Sequence, residues 1–170
     1  MSRIFVCGLD DMPGQVAELR PGRLISLLSP EHQPATPHEI ASSDHLRLLI
    51  DDVDEPRAGA IAPARSHIET LIRFLRSSPP RSSILIHCLA GVSRSPAGAL
   101  IALALDAPGR ERDAAQLLRS AAPFADPNRL MIELADEILE RRGNLVAALA
   151  SMGSADLSRG FARVDLPRSL

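Results

Sequence analysis

Ile84-Leu85-Ile86-His87-Cys88-Leu89-Ala90-Gly91-Val92-Ser93-Arg94-Ser95-Pro96 carries more of the architecture than any other part of the chain. The apolar run that opens it reads as a buried strand. The alanine-rich pattern beyond Pro96 reads as a helix, with the proline in its first turn. Between them lies a short loop with a cysteine at one end and an arginine at the other. Loop amides and a helix N-terminus converging on one point make a cradle for a phosphate-sized dianion. The same amides, with the arginine, push a thiol toward thiolate. A guanidinium at the far end can grip two anion oxygens as a fork.

Working outward, strands and helices alternate. Strands are expected at 3–8, 23–28, 45–50 and 83–87. A short helix is expected at 12–19, with Asp10 or Asp11 as its cap. Ile68, Leu71, Ile72 and Leu75 recur on one face of a helix over 63–76, which Pro79-Pro80 closes. Further helices are expected at 94–106, 110–121, 127–142 and 144–152. The stretch 153–170 has no periodicity and reads as a surface tail. The expected fold is α/β: a central, mostly parallel sheet of about four to five strands flanked by helices, with a helical C-terminal third. One domain is expected over 1–152.

Composition narrows the function classes. The chain has 170 residues, 45% hydrophobic and 24% charged, with a net charge of −2. This is an ordinary globular composition without the basic field that nucleic acid or an anionic membrane would select. No apolar run approaches a membrane span, and residues 4–6 are too short for a signal-peptide core. The expected compartment is the cytoplasm. All 19 basic residues are arginine. That excludes a lysine Schiff base and a phosphate-loop lysine. No Cys/His spacing suggests a metal site, and no cofactor is implied.

Open α/β sheets bind ligands beyond the carboxyl ends of their strands. The cysteine loop sits at such an end, and so does the acidic turn Asp51-Asp52-Val53-Asp54-Glu55-Pro56. An acid from that turn can therefore meet Cys88. Cys7 ends the first strand; it reads as a buried small side chain, with a reversible disulfide to Cys88 as the alternative. Gly91 suits a backbone conformation closed to other residues.

His87-Cys88, Gly91 and Ser93-Arg94-Ser95-Pro96 resemble the signature of the cysteine-based protein tyrosine phosphatases, in the compact dual-specificity-like branch. His45 to Asp52 resembles the strand leading to that family's general acid, and Asp126-Pro127-Asn128 resembles its Pro-Asn turn. The chain is most similar to small bacterial predicted tyrosine phosphatases. The resemblance implies a metal-free reaction through a cysteinyl-phosphate. It implies Cys88 as nucleophile, and Arg94 with the loop residues Leu89, Ala90, Gly91, Val92 and Ser93 as the phosphate cage. Asp52 becomes the acid, with Asp54 the competing choice. Ser95 would aid the sulfur as leaving group, although a plain helix-start hydroxyl is the alternative. His87 and Asn128 would support the loop.

The implied substrate is a phosphorylated protein or a small phosphomonoester. Positions 89–93 carry no basic side chain to neutralise further phosphates. With no Tyr or Trp, only Phe124 is expected to reach the rim, which suggests a shallow pocket. Sulfur transfer, arsenate reduction and passive phosphate binding remain as other uses of a loop cysteine. The first lacks a reason for Arg94, and the second lacks further cysteines near the loop.

Overall fold

The computed structural model describes residues 2–105, 107–159 and 161–170. Five strands, β1 (Arg3–Cys7), β2 (Arg23–Leu28), β3 (His45–Leu49), β4 (Ile84–His87) and β5 (Val164–Pro167), form one sheet in the order β3-β2-β4-β1-β5. The first four are mutually parallel, so their carboxyl ends share one edge. β4, the most apolar strand, is central, and the cysteine loop leaves from the middle of that edge.

Strand alternation divides the core. Ile4, Val6, Ile25, Leu27, Ile84 and Ile86 face the larger cluster, where α2 (Arg65–Arg76), α3 (Arg94–Leu105), α4 (Glu111–Ala121), α5 (Arg129–Ile138) and α6 (Asn144–Ser151) contribute. Phe5, Cys7, Leu24 and Leu85 face the smaller one, with Met12 and Val16 of α1 (Met12–Leu19). Every residue of α3 is buried. Its alanines and Gly98 allow that depth: a Cβ on Gly98 would lie 3.2 Å from Leu27 and 3.3 Å from Ile86.

Arginine forks cover carbonyls that helices leave open at their C-termini. Arg23 donates to Phe74 O and Ser77 O at the end of α2. Arg141 donates to Ala104 O and Leu105 O at the end of α3. Arg168 reaches Leu75 O from the far end of the chain.

Three sequence expectations need correction. The stretch 153–170 is not merely a tail: β5 pairs antiparallel with β1, and Val164 and Leu166 are buried. Two alternating apolar residues are too short a signal to read as a strand without their partner. The helix expected over 127–142 stops at Ile138. Glu140, Arg142 and Gly143 take positive φ, and the chain turns so that the Asp136 carboxylate accepts the amides of Gly143, Leu145 and Val146 at the start of α6. Asp11 occupies the cap position of α1, but its side chain makes no capping bond. The expected helix end at 106 lies outside the described residues.

Asp136 is buried and is the shared acceptor for those three amides. Asp136→Ala strands them, and hydrogen bonds to a charged acceptor are worth roughly 1.5–3 kcal/mol. Urea denaturation should show a loss of about 2–3 kcal/mol, with Asp136→Asn retaining part of it.

Candidate active site

The loop between β4 and α3 is held by its own carbonyls. Leu89 O accepts from Leu9 N at 3.0 Å, Val92 O from Asp126 N at 2.8 Å, and Ser93 O from Asn128 N at 3.2 Å. No peptide in the described residues is cis. A trans peptide points its N–H opposite its C=O. Tying these carbonyls to surrounding segments therefore turns the amides of Ala90, Ser93 and Arg94 the other way. Gly91 has φ +77, and a Cβ there would sit 2.9 Å from the backbone of Cys7 and Gly8. Only glycine lets the loop lie this close against the end of β1.

Cys88 starts the loop and is almost fully buried. Ser95 Oγ donates to its sulfur at 3.1 Å. Arg94 is buried as well. Its Nη1 donates to Ile50 O at 2.9 Å, while its Nε has no hydrogen-bond partner. The nearest carboxylate to that Nε is Asp52, whose Oδ2 is 3.9 Å away. A buried guanidinium N–H without an acceptor is costly unless something else binds there.

The acidic turn resolves into three different side chains. Asp51 is a buckle: its carboxylate accepts from Ser29 Oγ and from Ile61 N, and its own amide donates to Ile61 O. The Ser29 hydroxyl, then the Ile61 amide, hold the Asp51 carboxyl below the usual range. Asp52 points at the loop, where its Oδ1 accepts from Ser93 Oγ at 2.7 Å and from Asn128 Nδ2 at 3.1 Å. Asp54 turns to α5 and accepts from Arg129 N at 3.0 Å. Asn128 joins the parts. Its Nδ2 also donates to Val53 O, and its Oδ1 caps α5 by accepting from Met131 N.

Beneath the loop His87, expected as a support, meets partners that sequence reasoning missed: Ser26, His45 and Thr36. His87 Nε2 is 2.6 Å from Ser26 Oγ, and Ser26 Oγ is 2.7 Å from His45 Nε2. His45 Nδ1 is 2.9 Å from Thr36 Oγ1. Burial lowers the pKa of both rings to about 4; on His87 the neighbouring His45 adds to the effect, and on His45 Arg47 does. The available signal was Ser26 itself, a hydroxyl inside the apolar strand Leu24-Ile25-Ser26-Leu27-Leu28, where it must find partners.

One further expectation changes. Phe124 is buried and packs edge-on against Phe161 with ring centroids 5.6 Å apart, away from any rim role. The exposed apolar side chains nearest the site in sequence are Leu89 of the loop and Ile61 at the Asp51 buckle. Cys7 and Cys88 are both free, and they belong to clusters on opposite faces of the sheet. Burial pushes the Cys7 thiol up to about 12. Among the described residues no group of three or more His, Cys, Asp or Glu could hold a metal ion, and no helix is long and apolar enough to cross a membrane.

No family model matches the chain, and no curated protein does. Solved structures do. The PTP-2 phosphatase of Cydia pomonella aligns with a TM-score of 0.60 at 24% identity, over 79% of this chain and 84% of that one. The Yvh1 phosphatase domain from Chaetomium thermophilum aligns at 0.61 and 20% identity, over 84% and 93%. PTPMT1, solved in complex with PI(5)P, aligns at 0.60 and 13% identity, over 89% and 94%. The fold of this chain, a mixed sheet flanked by helices, is therefore one that these phosphatases share.

Proposed function

We propose that the chain is a phosphoric monoester hydrolase acting through a cysteinyl-phosphate on Cys88, without a metal. The observation that carries this reading is the buried Nε of Arg94, which lacks a hydrogen-bond partner, at the end of the loop that begins with Cys88. A phosphoryl oxygen is an acceptor suited to it.

In the first step the Cys88 thiolate forms a sulfur–phosphorus bond while the bond from phosphorus to the leaving oxygen breaks. Arg94 and the amides of residues 89–94 hold the equatorial oxygens and stabilise their charge. Asp52 gives its proton to the leaving oxygen. Its Oδ1 is already occupied by Ser93 and Asn128, so Oδ2 is the oxygen that carries the proton. In the second step Asp52 takes a proton from water, the new oxygen–phosphorus bond forms, and the thiolate leaves. The Ser95 hydroxyl, already on the sulfur, stabilises the departing charge.

The rim is what supports a substrate class. Positions 89–93 are uncharged, which suits a single phosphate. Leu89, roughly half exposed, offers an apolar edge rather than a deep slot. A protein phosphotyrosine or phosphoserine/threonine fits this setting, and a small phosphomonoester is the second reading. Passive phosphate binding is disfavoured by the Ser95–Cys88 contact, which binding alone does not require.

Cys88→Ser should abolish turnover of p-nitrophenyl phosphate while phosphate binding, followed by calorimetry, survives. Full activity in that variant would remove the reading. Arg94→Lys keeps the charge but loses the fork. It should cost about 10²–10³ in kcat. A loss within about threefold, under ~1 kcal/mol of barrier, would mean that the loop does not clamp phosphate.

Asp52→Asn should slow phosphotyrosine hydrolysis by about 10²–10⁴, with a smaller loss on activated aryl phosphates. The basic limb of its kcat–pH profile should flatten. Asp54→Asn, at the α5 amide, should stay near wild type. The reverse order for the two variants would move the acid to Asp54.

A further inference from the structure

Ile50 is the first residue past β3, and the peptide that joins it to Asp51 is bonded at both ends. Its amide, Asp51 N, donates to Ile61 O at 2.8 Å. Its carbonyl, Ile50 O, accepts from Arg94 Nη1 at 2.9 Å. A trans peptide points these two groups in opposite directions. One rigid plane therefore runs from Ile61 to the guanidinium of Arg94. Fixing that plane at Ile61 fixes the direction from which Arg94 is held.

The sheet does not supply this hold. β3 is the outermost strand, and the tie that follows it is Ile50 N to Leu28 O at 3.0 Å. The next peptide, 50–51, bonds to no strand. The Asp51 carboxylate compensates. It accepts the Ile61 amide at 2.6 Å and the Ser29 hydroxyl. Ile61 is thus gripped through its N–H and its C=O together, and Ser29, next after β2, ties the clasp back to the sheet.

Arg94 needs such a hold. It is the first residue of α3, and the helix fixes its backbone but not the end of its long stem. Among the described residues Ile50 O is the hydrogen-bond acceptor its guanidinium has, and the buried Nε has none. In a planar guanidinium Nη1 lies on the side of the stem, and Nε–H with Nη2 makes another edge of two parallel donors. Seating Nη1 on Ile50 leaves that edge open to one anion.

We propose that Asp51 is a positioning residue for Arg94: with Ser29 and Ile61 it sets the 50–51 peptide, whose carbonyl holds the guanidinium with its Nε edge free for phosphate. Adjacent carboxylates of one turn then do different work, Asp51 aiming the clamp and Asp52 moving the proton. That Arg94 clamps phosphate rests on the reading of the loop given above; the hold on its guanidinium does not. Hydrogen-bond geometry, not charge, is the agent. In Asp51→Asn the side-chain oxygen still accepts from Ile61, and the amide donates to Ser29 Oγ.

Proton–nitrogen spectra of the arginine-labelled protein read the guanidinium directly. One held through Nη1 rotates slowly about its Nε–Cζ bond and gives separate Nη signals. Arg94, assigned with Arg94→Lys, should show them in the wild type. Asp51→Ala should merge them, while those of Arg141, held at Ala104 O and Leu105 O, stay apart. Asp51→Ala should also lower kcat about 10–100-fold, the scale of a small misplacement at the reacting group. It should weaken phosphate binding, measured by calorimetry in the Cys88→Ser background, about 10-fold. Arg94 acts on the phosphoryl group whatever leaves, so the loss in kcat should be equal for p-nitrophenyl phosphate and phosphotyrosine. Asp51→Asn should restore signals, affinity and kcat to within about threefold. Ser29→Ala should move all three as Asp51→Ala does, by less.

Unchanged Arg94 signals in Asp51→Ala overturn the proposal, as does a lower melting temperature with kcat kept. So does a loss in Asp51→Asn as large as in Asp51→Ala, which would make charge the agent. A loss confined to phosphotyrosine also overturns it, since Asp51 would then act through Asp52. Should Asp51→Ala fail to fold by circular dichroism, the same comparisons on Ser29→Ala decide. Merged signals in a protein whose wild type neither binds phosphate nor turns over a phosphomonoester would sink the phosphatase reading and leave the hold on Arg94 standing. Cys88-dependent turnover with Arg94 signals indifferent to Asp51 would do the opposite.

Discussion

The site depends on one constraint: where the loop's carbonyls go. Each peptide of residues 88–94 has one donor and one acceptor. Amides from β1's end, from Asp126 and from Asn128 take the acceptors. Left to itself a short loop would satisfy its carbonyls with its own amides or with water, and no donors would converge. The close pass of Gly91 over Cys7 and Gly8 is what brings Leu9 within reach. The Asp126-Pro127-Asn128 turn supplies the other side. The place of β4 beside β1 is thus not incidental: one side of its loop is held from the end of β1, the other from the turn that leads into α5.

Much of this was legible because it is contiguous. Cys88, Arg94 and Ser95 lie within one strand–turn–helix junction, so chemistry and geometry are encoded together. The sheet edge was legible too, since parallel strands align their carboxyl ends. What was hidden depends on distant partners. Nothing local separates Asp52 from Asp54; Asn128 and Arg129, at the start of α5, do so. His45 reads as an ordinary strand residue until Ser26 is placed beside it. Phe124 reads as a rim aromatic until Phe161 covers it. The end of α5 was misread because Asp136 acts beyond its own helix, an option invisible to periodicity.

Asn128 is economical in a physical sense. One side-chain amide caps a helix, fixes the backbone at Val53 and orients Asp52. The acidic turn is consequently anchored at both ends, by Asp51 on Ile61 and by Asp54 on α5. Such double anchoring limits the turn's motion independently of any ligand, and it ties the site to the packing of the helical layer. A change that loosens α5 would therefore reach the site through hydrogen bonds.

β5 has a consequence beyond completing the core. An uncovered outer strand offers a row of unpaired backbone donors and acceptors that another chain can join. β1 would be such a strand, five residues long and largely buried on its faces. Residues 164–167 occupy that edge instead, and Arg3 is paired with Asp165 across it. Clipping the chain before Arg163 would strip Val164 and Leu166 from the core and bare that edge at once. Neighbouring copies would then have a template for adding to one another edge to edge.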